Sequence, residues 1–370
     1  MLRIIHVLGG LNRGGAETMI MNLYRNIDRT KIQFDFIIHT DIEQEYEKEV
    51  LELGGRIYRF PKFLGKNYLS IRNRWKNFFL NHPEYKILHS HVRSYASVYI
   101  PIAKKYGLVT IIHSHSTSNG KGILAMAKNI MQFPLRYQSD YFFGCSKEAG
   151  EWLFGKRIIN SDKYYMLPNA IDVEKFKFDS DKRVEIRAEL GMENKFVIGT
   201  IGRLAEPKNH KFLIDVFEEI HKKNRETQLL IVGDGDLRMA LQEQVKRLRL
   251  ENSVIFIGSK GNVQDYYQAM DVFAFPSLWE GFGIVAIEAQ CSGLRCVISE
   301  KVPTSVDMQI GLVEIASIKN KEEWCEKLLK RDRNRSRSSQ IQAVKRSGYD
   351  VYESARKLQK FYINLEENMQ

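Results

Sequence analysis

The sequence predicts an α/β protein of two domains, each a parallel sheet with helices on both faces. Three observations point there. Short β-rich apolar runs alternate with helical patterns along the whole chain, as successive βαβ units require. The alternation begins anew after a break at Leu167-Pro168-Asn169-Ala170-Ile171-Asp172, where Pro168 pushes its predecessor into an extended conformation. Finally, 370 residues, 44% of them hydrophobic, suffice for two full cores. The domains are expected at 1–168 and 169–348, with a tail helix over 349–366 packing back on the first.

In the first half, strands are expected over residues 2–8, 34–39, 56–60, 87–89, 109–113, 141–144 and 163–167, and helices over 17–26, 44–53, 70–81 and 96–106. The second half repeats the theme, with strands over 195–201, 228–232, 253–257, 272–275 and 295–298 and helices over 209–222, 237–248, 264–270 and 284–291. A charged segment, 174–187, follows the break. The run 330–339 is the most polar stretch and reads as an exposed loop or helix start. In the tail, apolar or aromatic residues at 351, 352, 355, 358, 361, 362 and 365 keep close to the 3.6-residue period, so one stripe is expected to be buried.

The net charge of +11 is unevenly spread. Residues 1–168 carry 24 Lys and Arg against 14 Asp and Glu, a balance of +10; the remainder carries 32 against 31, a balance of +1. A basic first half suits a polyanion, such as nucleic acid, an acidic membrane surface or a phosphorylated lipid. No apolar run approaches the ~20 residues of a membrane span, and the chain opens on strand-like residues 2–8 without a signal-peptide pattern. Cys145, Cys291, Cys296 and Cys325 lack paired metal spacing and read as reduced, buried thiols of a cytosolic protein.

The most informative stretch is 276–289, Pro-Ser-Leu-Trp-Glu-Gly-Phe-Gly-Ile-Val-Ala-Ile-Glu-Ala. It runs strand, loop, helix, with Glu280 and Glu288 eight positions apart around the turn Gly281-Phe282-Gly283. A helix N-terminus offers unpaired N–H groups and partial positive charge, which suit a phosphate. Carboxylates on either side accept hydrogen bonds from hydroxyls. Phosphate between two polyols describes a nucleotide-sugar. Arg203 and Lys208 lie on the loop after the first strand of the second half, at the sheet edge where open α/β folds bind ligands, and two cations there neutralise a diphosphate. The first loop, Gly9 to Glu17, is glycine-rich but is not G-x-G-x-x-G, which speaks against a nicotinamide-dependent oxidoreductase. Seven of nine histidines precede residue 168; His89 and His91 end one expected strand, His113 and His115 the next. They suit hydrogen bonding to a sugar or a phosphorylated acceptor better than a metal, since no carboxylate or cysteine stands near either triplet. Residues 121–136 are amphipathic and cationic, so they read either as a core-facing helix or as one that lies on an anionic membrane.

Taken together these residues resemble the retaining glycosyltransferases of family 4, which have the GT-B fold of two Rossmann-like domains with parallel sheets facing across a cleft. Within that family the chain is similar to bacterial exo- and capsular-polysaccharide transferases. The resemblance spans nearly the whole chain: the Gly9–Glu17 loop, Pro168-Asn169-Ala170-Ile171-Asp172, Gly202-Arg203-Leu204 with Lys208-Asn209, Val232-Gly233-Asp234-Gly235, and the E-x7-E pair Glu280 and Glu288. It implies that Arg203 and Lys208 hold the diphosphate, Glu288 the ribose and Glu280 the donor sugar. Backbone at Gly281, Phe282 and Gly283 assists the phosphate, and Gly14 and Gly15 approach the diphosphate from the other domain. His113, with Glu280, Arg203 and Lys208, forms the implied catalytic set. His115 is the rival for the place beside the transferred sugar, since the triplet leaves the register open by two. His91 and Asn169 are further candidates for the acceptor or sugar.

The implied activity is transfer of a sugar, with retention, from a UDP-sugar to a polyprenyl-diphosphate-linked saccharide. No metal or cofactor is implied, and no nucleic-acid partner. The implied location is cytoplasmic, with an anionic membrane surface as the peripheral partner. A non-catalytic two-domain protein binding nucleotides or polyanions is the alternative. Two departures from the family pattern stand out: Ala170 replaces a glycine, and 300–313 lacks a Gly-Gly-x-x-Glu motif.

Overall fold

A computed structural model describes residues 1–12, 14–116, 120, 122–330 and 337–369. The chain divides into two compact units, Met1–Ala170 together with Asp350–Gln370, and Ile171–Tyr349. In the first unit the strands are β1 (Leu2–Leu8), β2 (Ile32–Ile38), β3 (Ile57–Arg59), β4 (Ile87–Ser90), β5 (Val109–Ser114), β6 (Tyr141–Gly144) and β7 (Tyr164–Met166). They form one sheet in the order β3-β2-β1-β4-β5-β6-β7, and every pair is parallel. The second unit holds β8 (Phe196–Ile201), β9 (Thr227–Val232), β10 (Val254–Gly258), β11 (Val272–Phe275), β12 (Arg295–Ser299) and β13 (Val313–Ala316). Their order is β10-β9-β8-β11-β12-β13, again all parallel. The order in which strands are added thus reverses between β1 and β4 in one unit and between β8 and β11 in the other.

Both faces of the first sheet are covered. The helices Tyr68–Asn81 and Ala96–Lys105 bury Trp75 and Tyr99, whose rings stack 4.3 Å apart. The other face meets the helix Gly15–Asn26 and the tail helix Val351–Glu367. Asp350 caps the tail helix by accepting from the Glu353 N–H at 3.1 Å. Its Ala355, Leu358, Tyr362 and Leu365 are buried, a 3–4 spacing that brings one stripe to the sheet. Tyr352, which fits the same period, is exposed.

The second unit contains elements the apolar pattern missed. The charged segment after the break is a helix, Ser180–Glu189, capped by Asp179. Its signal is ionic: Arg183 and Arg187 reach Asp271 at 2.5 and 3.2 Å. The exposed loop expected over 330–339 also needs correction at its described end, since 331–336 lie outside the described residues. Arg337 is enclosed. It donates to the carbonyls of Tyr267, Gln268, Met270 and Ser292 and to the Ser292 hydroxyl, at 2.8–3.2 Å. The carbonyls at the C-terminus of the helix Val263–Ala269 have no intrahelical partners, and a fork of donors satisfies several of them at once. Burial, with Arg183 nearby, pulls Arg337 down to about 9.

Arg183 also serves the Gln268 and Met270 carbonyls, and the Met270 N–H also serves the Tyr267 carbonyl, so among the described residues the Ser292 carbonyl depends on Arg337. Arg337→Leu is expected to destabilise the second unit by about 1–3 kcal/mol through the unpaired Ser292 carbonyl, read as a lower calorimetric transition with the first unit's transition unmoved.

Candidate active site

The two functional loops of the second unit follow the adjacent central strands β8 and β11, at the point where the strand order reverses. After β8 the chain runs through Gly202, Arg203 and Leu204 into a short 3-10 turn, Glu206–Lys208. The turn after β9 packs against it. Leu204 donates its N–H to the Asp234 carbonyl at 2.9 Å, and Gly202 to Val232 at 3.0 Å. Gly233 has φ +138°, and a Cβ there would collide with the Gly202 carbonyl. The glycines of Val-Gly-Asp-Gly therefore allow the two loops to touch.

After β11, the loop from Pro276 to Gly283 is tied to the first by Leu278, whose N–H donates to the Pro207 carbonyl at 2.8 Å, and by Asn209, whose side chain reaches Pro276 at 3.2 Å. Lys208 Nζ lies 2.6 Å from Glu280 Oε1, and the Ser277 hydroxyl donates to the same oxygen at 2.7 Å. The Lys208 ammonium also sits 5.1 Å from the centre of the Phe275 ring. Gly283 precedes the helix Ile284–Cys291 with φ +103° and ψ +49°, a left-handed turn that favours glycine. Phe282 turns inward, its ring 5.3 Å from Tyr349, so this residue offers backbone rather than side chain. Glu288, on the second turn of the helix, accepts from the Tyr267 hydroxyl at 2.7 Å. Burial pushes its carboxyl up to about 7, against the opposing effects of the Tyr267 hydrogen bond and the Lys208 charge.

Lys208, Glu280, the Gly281-Phe282-Gly283 turn and Glu288 thus converge on one end of one helix. Arg203 lies apart, exposed, with its guanidinium 3.3 Å from Asp236. The rim below the helix, where the Gly-Gly-x-x-Glu pattern is lacking, is held otherwise. Gln290 donates to the Val306 carbonyl at 2.7 Å, and the Tyr349 hydroxyl to the Ser305 carbonyl at the same distance. Ser277, Tyr267 and Asp236 escaped sequence reasoning. Ser277 leaves a faint trace, three residues before the carboxylate it supports; Tyr267 comes from another helix and leaves none.

In the first unit, strand register explains the histidines. His6 on β1 pairs with His89 on β4, and the period of two puts His91 on the same face. His6 Nδ1 lies 3.1 Å from His91 Nε2, and His91 Nδ1 lies 2.8 Å from His115 Nε2. His89 is turned into the core, 2.6 Å from the Tyr362 hydroxyl. His113 is fully buried, and neither ring nitrogen meets a hydrogen-bond partner among the described residues. His6, His89 and His91 bring ligand atoms within 4.8 Å of one another, as do His91, His113 and His115. The ring planes lie 8–36° from parallel across the His89, His91, His113 and His115 pairs. Burial holds all five neutral, with His91 drawn down to about 3.

Gly14 precedes the helix Gly15–Asn26, and the Glu17 carboxylate lies directly over it. Arg13, from the same loop, lies outside the described residues. Among the described residues the Asn169 side-chain oxygen is buried without a partner. The helix Ile123–Gln132 packs Ala125 and Met131 inward but turns other apolar residues outward, with Ile123 80% and Leu124 79% exposed and Met126, Ile130 and the following Phe133 exposed too. Lys121, assigned to this segment, lies outside the described residues. No described helix is long and apolar enough to cross a membrane.

Two units, each an all-parallel sheet with one reversal of strand order, make up the GT-B fold. Sequence models of Glycosyltransferase Family 4 and of the group 1 glycosyl transferases match residues 13–175 and 182–335. Over 323 residues the chain is 33% identical to EpsF of Bacillus subtilis, which carries a glycosyltransferase name, across 85% of this chain and 84% of that protein. It is 26% identical over 231 residues, 60% of this chain and 59% of the other, to an Escherichia coli UDP-Gal:alpha-D-GlcNAc-diphosphoundecaprenol alpha-1,3-galactosyltransferase. The Anabaena Alr3699/HepE structure in complex with UDP-glucose shares the fold, with TM-score 0.80 at 18% identity over 98% of this chain and all of that one. The chain belongs to glycosyltransferase family 4. This favours a transferase over the non-catalytic polyanion-binding protein that charge alone allowed.

The buried histidines set a pH dependence. Their folded-state values lie below the ordinary 6.5, so the unfolded chain takes up protons first as pH falls. Stability is complete above about 6.5 and is lost below it, at roughly 1.4 kcal/mol per pH unit for each histidine that stays neutral in the fold. Calorimetry is expected to show the first unit's transition flat from pH 7 to 8.5 and falling steeply between 6.5 and 5.

Proposed function

We propose that this protein is a retaining transferase that moves a sugar from a UDP-sugar to a polyprenyl-diphosphate-linked saccharide during exopolysaccharide or capsule synthesis. The observation that carries the proposal is the meeting of Lys208, Glu280 and the Gly283 turn at one helix end, with Glu288 one turn further on. A diphosphate at that end is stabilised by the helix dipole and by Lys208. As phosphate oxygens compete for the ammonium, the Glu280 carboxylate becomes available to donor-sugar hydroxyls, while Glu288 accepts the ribose hydroxyls. The E. coli relative supports the donor and acceptor classes, since its name specifies UDP-Gal and a diphosphoundecaprenol-linked acceptor.

In the proposed reaction the bond from the sugar's anomeric carbon to the β-phosphate oxygen breaks. The acceptor oxygen bonds that carbon on the same face, and its proton passes to the departing phosphate. Charge grows on the leaving diphosphate, and Lys208, Arg203 and the helix end stabilise it, the task a divalent metal performs elsewhere. On this reading no metal cofactor is needed. His113 is assigned to the transferred sugar, with His115 as the rival, and His91, Asn169, Gly14 and Gly15 to the acceptor and phosphate surroundings in the first unit.

Lys208→Ala is expected to lower kcat for UDP release from UDP-sugars about 10²–10³-fold, with chelator leaving the parent rate unchanged. Unchanged turnover in the variant would remove Lys208 from the mechanism.

The acceptor's lipid calls for contact with a membrane. The outward Ile123, Leu124, Met126 and Ile130, with Lys128 on the same helix and the first half's charge of +10, suit an anionic bilayer. Co-sedimentation with anionic vesicles at low salt is expected, reduced at least tenfold by the pair Ile123→Asp and Leu124→Asp. Equal binding of parent and variant would contradict this contact.

A further inference from the structure

Tyr267 stands at the centre of an arrangement that Glu288 alone does not explain. Its side chain is fully buried, with its ring 5.6 Å from Phe273 and 5.9 Å from Phe176. Arg337 binds the Tyr267 carbonyl at 2.9 Å and Ser292, just beyond the helix that carries Glu288, at 2.8 Å. The phenol is therefore held with little freedom. Its oxygen lies 2.7 Å from Glu288 Oε2 and 3.1 Å from the Val285 carbonyl oxygen. Two acceptors face a hydroxyl that has one proton.

There are two ways to satisfy this triad. If Glu288 is ionised, the phenol donates to it, and the Val285 carbonyl keeps only its intrahelical bond. If Glu288 carries a proton, it donates to the phenol oxygen, and the phenol donates to Val285. Both protonation states thus have complete hydrogen bonding in one geometry. Lys208 is the nearby cation, and it is engaged by Glu280. Cys296, on β12, is the remaining titratable group acting on the phenol. With burial disfavouring the charge, the protonated form is accessible near neutrality. Ribose hydroxyls are donors toward this carboxyl, and two of them are best met by the anion.

We propose that donor binding releases a proton from Glu288 and that Tyr267 is the positioning residue that sets the pH of this release: the ribose hydroxyls take up the ionised form, the phenol turns its proton onto the carboxylate, and the Glu288 proton leaves to solvent. This rests on the reading of Glu288 as the ribose ligand. The one covalent bond broken is the carboxyl O–H of Glu288, whose proton is taken up by water or buffer; the phenol keeps its own O–H and only rotates it, and charge balances through the released proton.

The test is calorimetric titration with UDP-glucose, whose diphosphate does not titrate near neutrality, in buffers of different ionisation enthalpy between pH 6 and 8.5. The parent is expected to release roughly half a proton per site at pH 7. Glu288→Gln should bind more weakly and release none. Tyr267→Phe should bind about five- to tenfold more weakly at pH 7, with the midpoint of proton release moved to higher pH because the carboxylate loses its donor. A tyrosine that serves packing alone would weaken binding without moving that midpoint, and this result overturns the proposal. Binding with no proton release by the parent overturns it too while leaving the donor site standing. Absence of UDP-glucose binding removes both.

Discussion

In a sheet whose strands all run one way, every strand ends on the same edge. Where the strand order reverses, two neighbouring loops leave that edge on opposite sides and open a space between them. Each unit of this protein has one such point, between β1 and β4 and between β8 and β11. The conspicuous motifs sit there: the glycine-rich loop after β1, the first histidine triplet at the end of β4, the Arg203 and Lys208 loop after β8, and the Glu280 loop after β11. Residues seventy positions apart meet because topology leaves them no other place. Lys208 and Glu280 are the case in point, 72 residues apart in sequence and 2.6 Å apart in space.

Close approach comes at a conformational cost that glycine absorbs. Gly233 lets the β9 turn lie against the Gly202 carbonyl, and Gly283 takes the left-handed turn that starts the phosphate-type helix. The charges near that helix are then held by neighbours rather than left to solvent. Lys208 has Glu280, Glu280 has Ser277 as well, and Glu288 has Tyr267. A site so preset loses less side-chain entropy when a ligand arrives. Arg203 is the exception. It is exposed and loosely paired with Asp236, the state expected of a long side chain that adjusts to its ligand.

How much of this the sequence disclosed depends on range. Strands β1, β6 and β11 and the helix Ile284–Cys291 fall where apolar runs and flanking glycines put them, because their signals are local. Elements stabilised by distant ions were hidden. The helix Ser180–Glu189 is tied down by Asp271 rather than by an apolar stripe. Strand β13 is an edge strand whose Glu314 pairs with Arg295 and Lys330, so it lacks the apolar run of a central strand. Arg337 reads as one cation in a polar run and serves instead as a buried donor to helix-end carbonyls. In the site, Glu280, Glu288 and Lys208 were legible from spacing. Tyr267, which comes from another helix, was not, and neither was the His6–His91–His115 chain, which depends on strand register across β1, β4 and the end of β5.

The two units handle charge in opposite ways, and the contrast bears on selectivity. The second unit is nearly neutral over its length, so its cations act locally: positive potential concentrates where Lys208 and a helix end coincide and is weak elsewhere. The first half carries +10, yet its five clustered histidines add nothing, because burial keeps them uncharged. Its charge therefore resides on lysines and arginines, most of them at the surface, a field that acts over a Debye length of about 8 Å at physiological salt. Such a field suits an extended anionic partner rather than one compact phosphate. A single cation set beside a helix end and a diffuse basic surface are different ways of presenting positive charge, and keeping them in separate units lets each be tuned without weakening the other.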